Sequence, residues 1–164
     1  MTSKLMPGKK VSQSRVQLAQ LMQPSQANQH GNVHGGWIMK LVDEAGALAC
    51  MRHAQRRVVT VAVDQMVFRE PIRIGDLVIL KAEVSYVGRT SMEAQVKVIA
   101  ENPVTGEYMH TNTAYLVYVA LGDDGRSMKV PRLIVETDAE RKRMEGGSTR
   151  QQYRLTQMRL AEDS

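Results

Sequence analysis

A single cysteine, Cys50, occurs among the 164 residues. That count excludes a disulfide within the chain and fits a reducing compartment. Aromatic residues make up 4% of the sequence, with one Phe and one Trp. So few rings cannot build the stacking surface on which single strands of nucleic acid are held. No apolar run approaches the roughly 20 residues of a membrane-spanning helix. Residues Met1–Lys10 carry lysines but lack the apolar centre of a secretory signal. Helix-turn-helix, RRM and zinc-finger spacings are missing too. Nucleic acid and membrane are therefore not expected as partners, and the expected location is the cytoplasm.

With 43% hydrophobic and 24% charged residues, the chain has the composition of one ordinary globular domain. Its formal charge is +5. Much of the excess follows residue 140, in Arg141, Lys142, Arg143, Arg150, Arg154 and Arg159. A small anionic partner suits that balance.

The most informative stretch runs from Asn28 to Cys50. It starts as a polar loop with Gly31, Gly35 and Gly36, then takes on the apolar period of a helix. Ile38, Leu41, Val42, Ala45, Leu48 and Ala49 fall on one side. The opposite side carries Gly36, Met39, Asp43, Gly46, Ala47 and Cys50. A helix apolar nearly all round is expected to be buried, which places Asp43 inside the protein or at a cleft beside small residues. Glu44 shares a side with Lys40 and reads as its i,i+4 partner. At the helix start Gly36 is expected to leave its N–H bare, a candidate donor to a carbonyl oxygen that gains charge. Loop, donor and acid together describe a hydrolytic site on an acyl group. A satisfied structural acid is the competing account of Asp43.

Elsewhere the chain reads mostly as strands. A short strand is expected between Ser12 and Met22, ended by Pro24. Val58 to Phe68 has β-branched residues on both parities, as in a strand buried on both faces. Strands over 77–87, 90–100 and 107–121 follow, joined by turns at Gly88-Arg89 and at Asn102-Pro103 with Gly106. One long apolar helix and successive antiparallel strands make an α+β layout. Residues 1–11 read as a flexible basic leader, 12–135 as the domain and 136–164 as a charged helical extension. Gly146-Gly147 is expected to break that extension. His30 and His34 stand four apart, but the glycines around them argue against a helix aligning them, so no metal is expected. Cys50, His53, His110 and Trp37 read as packing or ordinary residues.

Five ordered segments carry a resemblance. They are Asn28-x-x-Gly31-Asn32-Val33-His34-Gly35-Gly36 followed by Leu41-Val42-Asp43-Glu44-Ala45-Gly46, then Val59–Asp64, then Phe68-Arg69-Glu70-Pro71-Ile72 with Gly75-Asp76, and Val87-Gly88-Arg89-Thr90-Ser91. Over residues 12–135 the chain resembles the hotdog-fold acyl-CoA thioesterases, the cytosolic acyl-CoA hydrolases of bacteria and brain-type mammalian relatives. The resemblance implies an antiparallel sheet wrapped around the central helix. It implies hydrolysis of acyl-CoA to fatty acid and CoA with no cofactor beyond the CoA of the substrate. It also implies a homodimer, with hexameric trimers of dimers common. Asp43 takes the place of the catalytic acid, as base or nucleophile, and Asn28 that of the partner subunit's asparagine. Thr60 and Glu44 are expected to assist by hydrogen bonding. Gly88, Arg89, Thr90 and Ser91 suit a CoA phosphate, and Arg132 is a second phosphate candidate. A hotdog hydratase or dehydratase, or a non-catalytic acyl-CoA or nucleotide binder, are the alternatives.

Overall fold

In the computed structural model residues 6–64 and 66–164 are described. The elements in order are β1 (Lys9–Lys10), α1 (Val11–Ser14), β2 (Val16–Leu21), α2 (Gly35–Ala54), β3 (Arg57–Val63), β4 (Leu77–Val87), β5 (Ser91–Glu101), β6 (Tyr108–Leu121), β7 (Leu133–Ile134) and α3 (Asp138–Glu162). The main sheet has five antiparallel strands in the order β2-β4-β5-β6-β3. Period-2 patterning sorts its two faces. Val78, Leu80, Ala82 and Val84 of β4, Met92 to Ala100 of β5 at alternate positions, and Ala114 to Ala120 of β6 likewise form the buried inner face. That face curls around α2, which buries Ile38, Leu41, Val42, Ala45, Gly46, Ala49, Cys50 and His53. This is the α+β hotdog arrangement.

α2 starts where His34 caps it by accepting the Gly36 N–H at Nδ1, and ends where Gln55 takes a left-handed φ of 53°. At its last turn His53 is fully buried, and its Nε2 lies 2.6 Å from the Pro131 carbonyl oxygen. Among the described residues its Nδ1 has no hydrogen-bond partner.

The outer face of the sheet is polar, and α3 crosses it. Glu93, 1% exposed, is the anchor. It accepts from Arg150 Nε at 2.9 Å and Nη2 at 2.8 Å, from Arg154 Nη2 at 3.2 Å, and from Ser85 Oγ at 2.7 Å. Arg150 also lies 3.6 Å over the Tyr115 ring, and Arg154 reaches Asp64 at 2.8 Å. A buried carboxylate needs such multiple partners.

Four expectations are corrected. The extension does not break at Gly146-Gly147, because α3 runs through both as one helix of 25 residues. Gly147 is where it touches the sheet: a Cβ there would lie 2.4 Å from Tyr86 Cβ. Close approach, not chain breaking, accounts for that glycine. The leader is not loose where it is described: Lys9–Lys10 pair in parallel with Leu133–Ile134, and Val11 is buried. Residues Met1–Leu5 lie outside the described set. Between Ser12 and Met22 the expected strand is β2, but it covers only Val16–Leu21, and the short helix α1 takes the residues before it. Finally, β3 ends at Val63 and is an edge strand, with Val59, Val61 and Val63 at 42%, 54% and 47% exposure, not a strand buried on both faces.

Two measurements check this packing. Ala in place of Gly inside a helix is ordinarily worth about 1 kcal/mol of stability. Gly146→Ala meets only the end of the Arg150 side chain, so its melting temperature should hold or rise. Gly147→Ala forces backbone and Tyr86 apart, an overpacking cost of about 1–3 kcal/mol, and should melt lower by several degrees. The second concerns His53, whose imidazole is held below its ordinary pKa first by burial and then by nearby Lys9. Native protein therefore takes up that proton less readily than the unfolded chain, which binds it below about pH 6.5. Its contribution to stability is complete above that pH and is lost as pH falls. Wild type should therefore lose melting temperature more steeply than His53→Gln between about pH 7.5 and pH 5.5; equal slopes would clear His53 of the effect.

Candidate active site

Asp43 sits in the third turn of α2, half-buried, on the side that faces β3 and β6. Two hydroxyls hold it. Thr60 Oγ1 of β3 donates to Asp43 Oδ1 at 2.8 Å. Tyr118 of β6 places its hydroxyl 3.0 Å from the same oxygen and 2.9 Å from the Asp43 carbonyl. Burial, and then the neighbouring Asp43 charge, keep the Tyr118 pKa far above its usual value, so the phenol stays a proton donor. Gly46 makes this contact possible. A Cβ at that position would lie 2.5 Å from the Tyr118 hydroxyl, so only glycine lets the ring lie against the helix. Among the described residues no hydrogen bond engages Asp43 Oδ2. The acid is thus oriented through one oxygen, Oδ1.

The surroundings are open in the single chain. Thr60 is exposed on the edge strand, and on α2 Met39 and Leu48 are exposed although apolar. The helix is therefore not buried all round. Asn28 lies in the loop before α2, beside a cleft of about 420 Å³ that Phe68, Ile72 and Ile38 also line. Its Oδ1 accepts from His30 N at 2.9 Å and Asn32 N at 3.2 Å, shaping the loop. Within one chain the structure gives Asn28 no hydrogen bond to Asp43. Gly36 departs from expectation. Its N–H is not bare but donates to His34 Nδ1 at 2.9 Å, because the histidine caps its own helix. Glu44 pairs with Lys40 at 2.7 Å on the exposed side and takes no part at Asp43.

The remaining candidates gather at the other end of α2. In the turn 88–91, Gly88 N donates to Ser91 O at 2.8 Å. A Cβ at Gly88 would crowd Ser91 Oγ at 2.8 Å. Val130 N donates to Arg89 O at 3.0 Å, which brings the turn against the segment that carries Pro131 and Arg132. Arg89 and Arg132 are both exposed, and among the described residues neither has an ion-pair partner. His53 holds this segment from below through Pro131 O. Cys50 is fully buried, and burial raises its pKa far out of the reactive range, which removes it as a nucleophile. Among the described residues no group of three or more His, Cys, Asp or Glu is placed to hold a metal.

Two residues of the site escape a reading of the sequence. Tyr118 shows there only as an aromatic on the inward parity of β6, and its pairing with Gly46 is a tertiary contact. His53 carries no motif at all.

The pattern of the Thioesterase superfamily matches residues 30–107, from the loop before α2 through β5. The cytosolic acyl coenzyme A thioester hydrolase of Homo sapiens is 37% identical over 142 residues, which cover 85% of this chain and 37% of that protein. The chain thus spans little more than a third of the mammalian relatives it matches. An uncharacterized acyl-CoA thioester hydrolase of Haemophilus influenzae is 39% identical over 119 residues, covering 70% of this chain and 77% of that one. An acyl-CoA hydrolase from Staphylococcus aureus, solved with butyryl coenzyme A, coenzyme A and coenzyme A disulfide, superposes with a TM-score of 0.88 at 30% identity over 96% of each chain. An apo-hexameric acyl-CoA thioesterase gives 0.89 at 32% identity, over 93% of this chain and 98% of that one. Joined to a sheet curled around one long helix and an acid held at the sheet's edge, these likenesses show that the chain belongs to the hotdog-fold thioesterase superfamily.

Proposed function

We propose that the chain hydrolyses fatty acyl-CoA to CoA and the free acid, with Asp43 as the reacting acid. The observation that carries this is the carboxylate itself: Oδ1 is held by Thr60 and Tyr118, Oδ2 is unengaged, and the group stands at an open seam beside the edge strand. The acyl-CoA names of the relatives in two kingdoms supply the substrate class.

In the reaction Asp43 takes a proton from water as the water oxygen bonds to the thioester carbon. The tetrahedral intermediate then expels the CoA thiolate, which picks up a proton. Direct attack by Asp43 Oδ2, giving an anhydride that water opens, uses the same geometry. The thiolate is a good leaving group, so neither route needs a strong base. At the far end of α2 the exposed Arg89 and Arg132, with Thr90 and Ser91, receive the CoA phosphates. Asp43 and His53 are ten helical residues apart, about 15 Å along the axis, and the pantetheine arm runs along that span.

The working unit is a homodimer. β3 is an edge strand whose three exposed valines would invite uncontrolled pairing if left bare. Pairing with a second copy covers them, along with Met39 and Leu48, and closes the site. Asn28 then reaches Asp43 from the partner, through its Nδ2 since Oδ1 is engaged in its own loop. The hexameric neighbour supports a trimer of such dimers, and the human relative's name supports a cytosolic location.

Steady-state thiol release from acyl-CoA esters of increasing chain length tests the reading. Asp43→Ala should lose about 10²–10⁴-fold in kcat while keeping its assembly. Thr60→Val and Tyr118→Phe should each lose about tenfold, the worth of one hydrogen bond to a charged group. An inactive wild type that binds CoA tightly would overturn the hydrolase. A second experiment mixes Asp43→Ala and Asn28→Ala subunits, each nearly inactive alone. If the residues act across the dimer, random re-pairing restores about a quarter of wild-type sites. No recovery in a mixture shown to exchange subunits would place Asn28 elsewhere.

A further inference from the structure

On the outer face of the sheet, away from Asp43, β2, β4, β5 and α3 enclose a cleft of about 400 Å³. That is within the size range of small-molecule sites. Its floor is a row set by strand register: Gln17 of β2 is opposite Lys81 of β4, and Lys81 is opposite Lys97 of β5. Like charges directly opposite on neighbouring strands are unfavourable. Here no salt bridge among the described residues offsets them. Glu83 is the single acid of the lining, and both its oxygens are taken: Oε2 by Arg15 Nε at 2.9 Å, Oε1 by Arg143 Nε at 2.8 Å. Arg15 bonds Glu140 as well, at 3.1 Å. Among the described residues no carboxylate pairs with Lys81 or Lys97. The cleft thus holds four cations against one spent carboxylate, with two lysines opposite one another on adjacent strands and, among the described residues, neither in an ion pair.

We propose that this cleft binds a small phosphorylated molecule, with a phosphate or diphosphate group bridging Lys81 and Lys97. A phosphate oxygen set accepts from two converging ammonium groups at once, and a charge near −2 relieves the lysine pair. The Gln17 amide supplies a neutral donor at the end of the row. Walls of paired arginines hold the remaining potential positive without offering a competing acid. The site is separate from the turn 88–91 and does not depend on the thioesterase reading.

Isothermal titration of the intact protein with inorganic pyrophosphate tests it, with Lys81→Met, Lys97→Met and the double variant beside their parent. The titrations are made in an Arg89→Ala/Arg132→Ala background, which removes the proposed CoA phosphate contacts. Both lysines are exposed and removing either relieves their repulsion, so the variants should melt at or slightly above this parent without ligand. The parent should still bind, each single lysine change should weaken the remaining binding by tenfold or more, and the double lysine change should abolish it. Absence of binding by the parent, or binding that survives the double lysine change in it, would overturn the proposal. Equal binding of citrate would overturn the phosphate assignment, since it would show a site that responds to charge alone.

Discussion

The contact between Tyr118, Gly46 and Asp43 is the constraint on which the rest depends. A fully buried ring from the C-terminal part of β6 lies against Gly46, a helical position with no side chain to meet it. Its hydroxyl then ends on the carboxylate. The pairing sets how closely α2 approaches the sheet, and so the depth at which the acid stands. It also joins the hydrophobic core to the site. The apolar inner face of β4, β5 and β6 holds the helix, and the helix and Tyr118 together hold Asp43. A polar group placed this way costs little, because both partners are satisfied on one another.

The same helix organises both ends of the site. Its N-terminal loop is folded by Asn28 and capped by His34, and its C-terminal turn fastens the Pro131 segment through His53. A rigid rod thereby relates the acid in the middle to the exposed arginines at one end and the asparagine loop at the other. What the rod does not do is close the seam. Thr60, the valines of β3, and Met39 and Leu48 stay open to solvent, the pattern of a half-site. The outer face is managed differently. There α3 is held almost wholly by charge, through Glu93 with its two arginines and Glu140 with Arg15. The large apolar residues Tyr153, Leu155, Met158 and Leu160 of α3 are exposed, so specific ion pairs rather than an apolar stripe decide where it lies.

Much of this was legible in the residues. Asp43 stood out because an acid on an otherwise apolar helix has no ordinary surface role, and Thr60 emerged from the motif that bears it. The Lys40–Glu44 pair followed from helical spacing alone. The strands β4, β5 and β6 were visible from alternation and turn residues. Gly36 misled, because a glycine at a helix start looks like an open donor until the capping side chain is seen. Gly147 misled for a related reason, since one residue type serves both for breaking a helix and for letting it touch a neighbour. The valines of β3 read as buried on both faces because composition does not record which strand lies at an edge.

By itself, then, the sequence determined what repeats locally: the period of the helix, the alternation of the strands, the turns, and an acid, Asp43, on a helix side otherwise small and apolar. Those features depend on residues a few positions apart, whose relation is set by backbone geometry. Only the tertiary structure decided that Tyr118 meets Asp43 across 75 positions, that His53 holds Pro131, and that Lys81 falls opposite Lys97 in a cleft that Arg143 of α3 also lines. Contacts of that range are chosen by how the whole core packs and by strand register, and no local pattern of residue types encodes them.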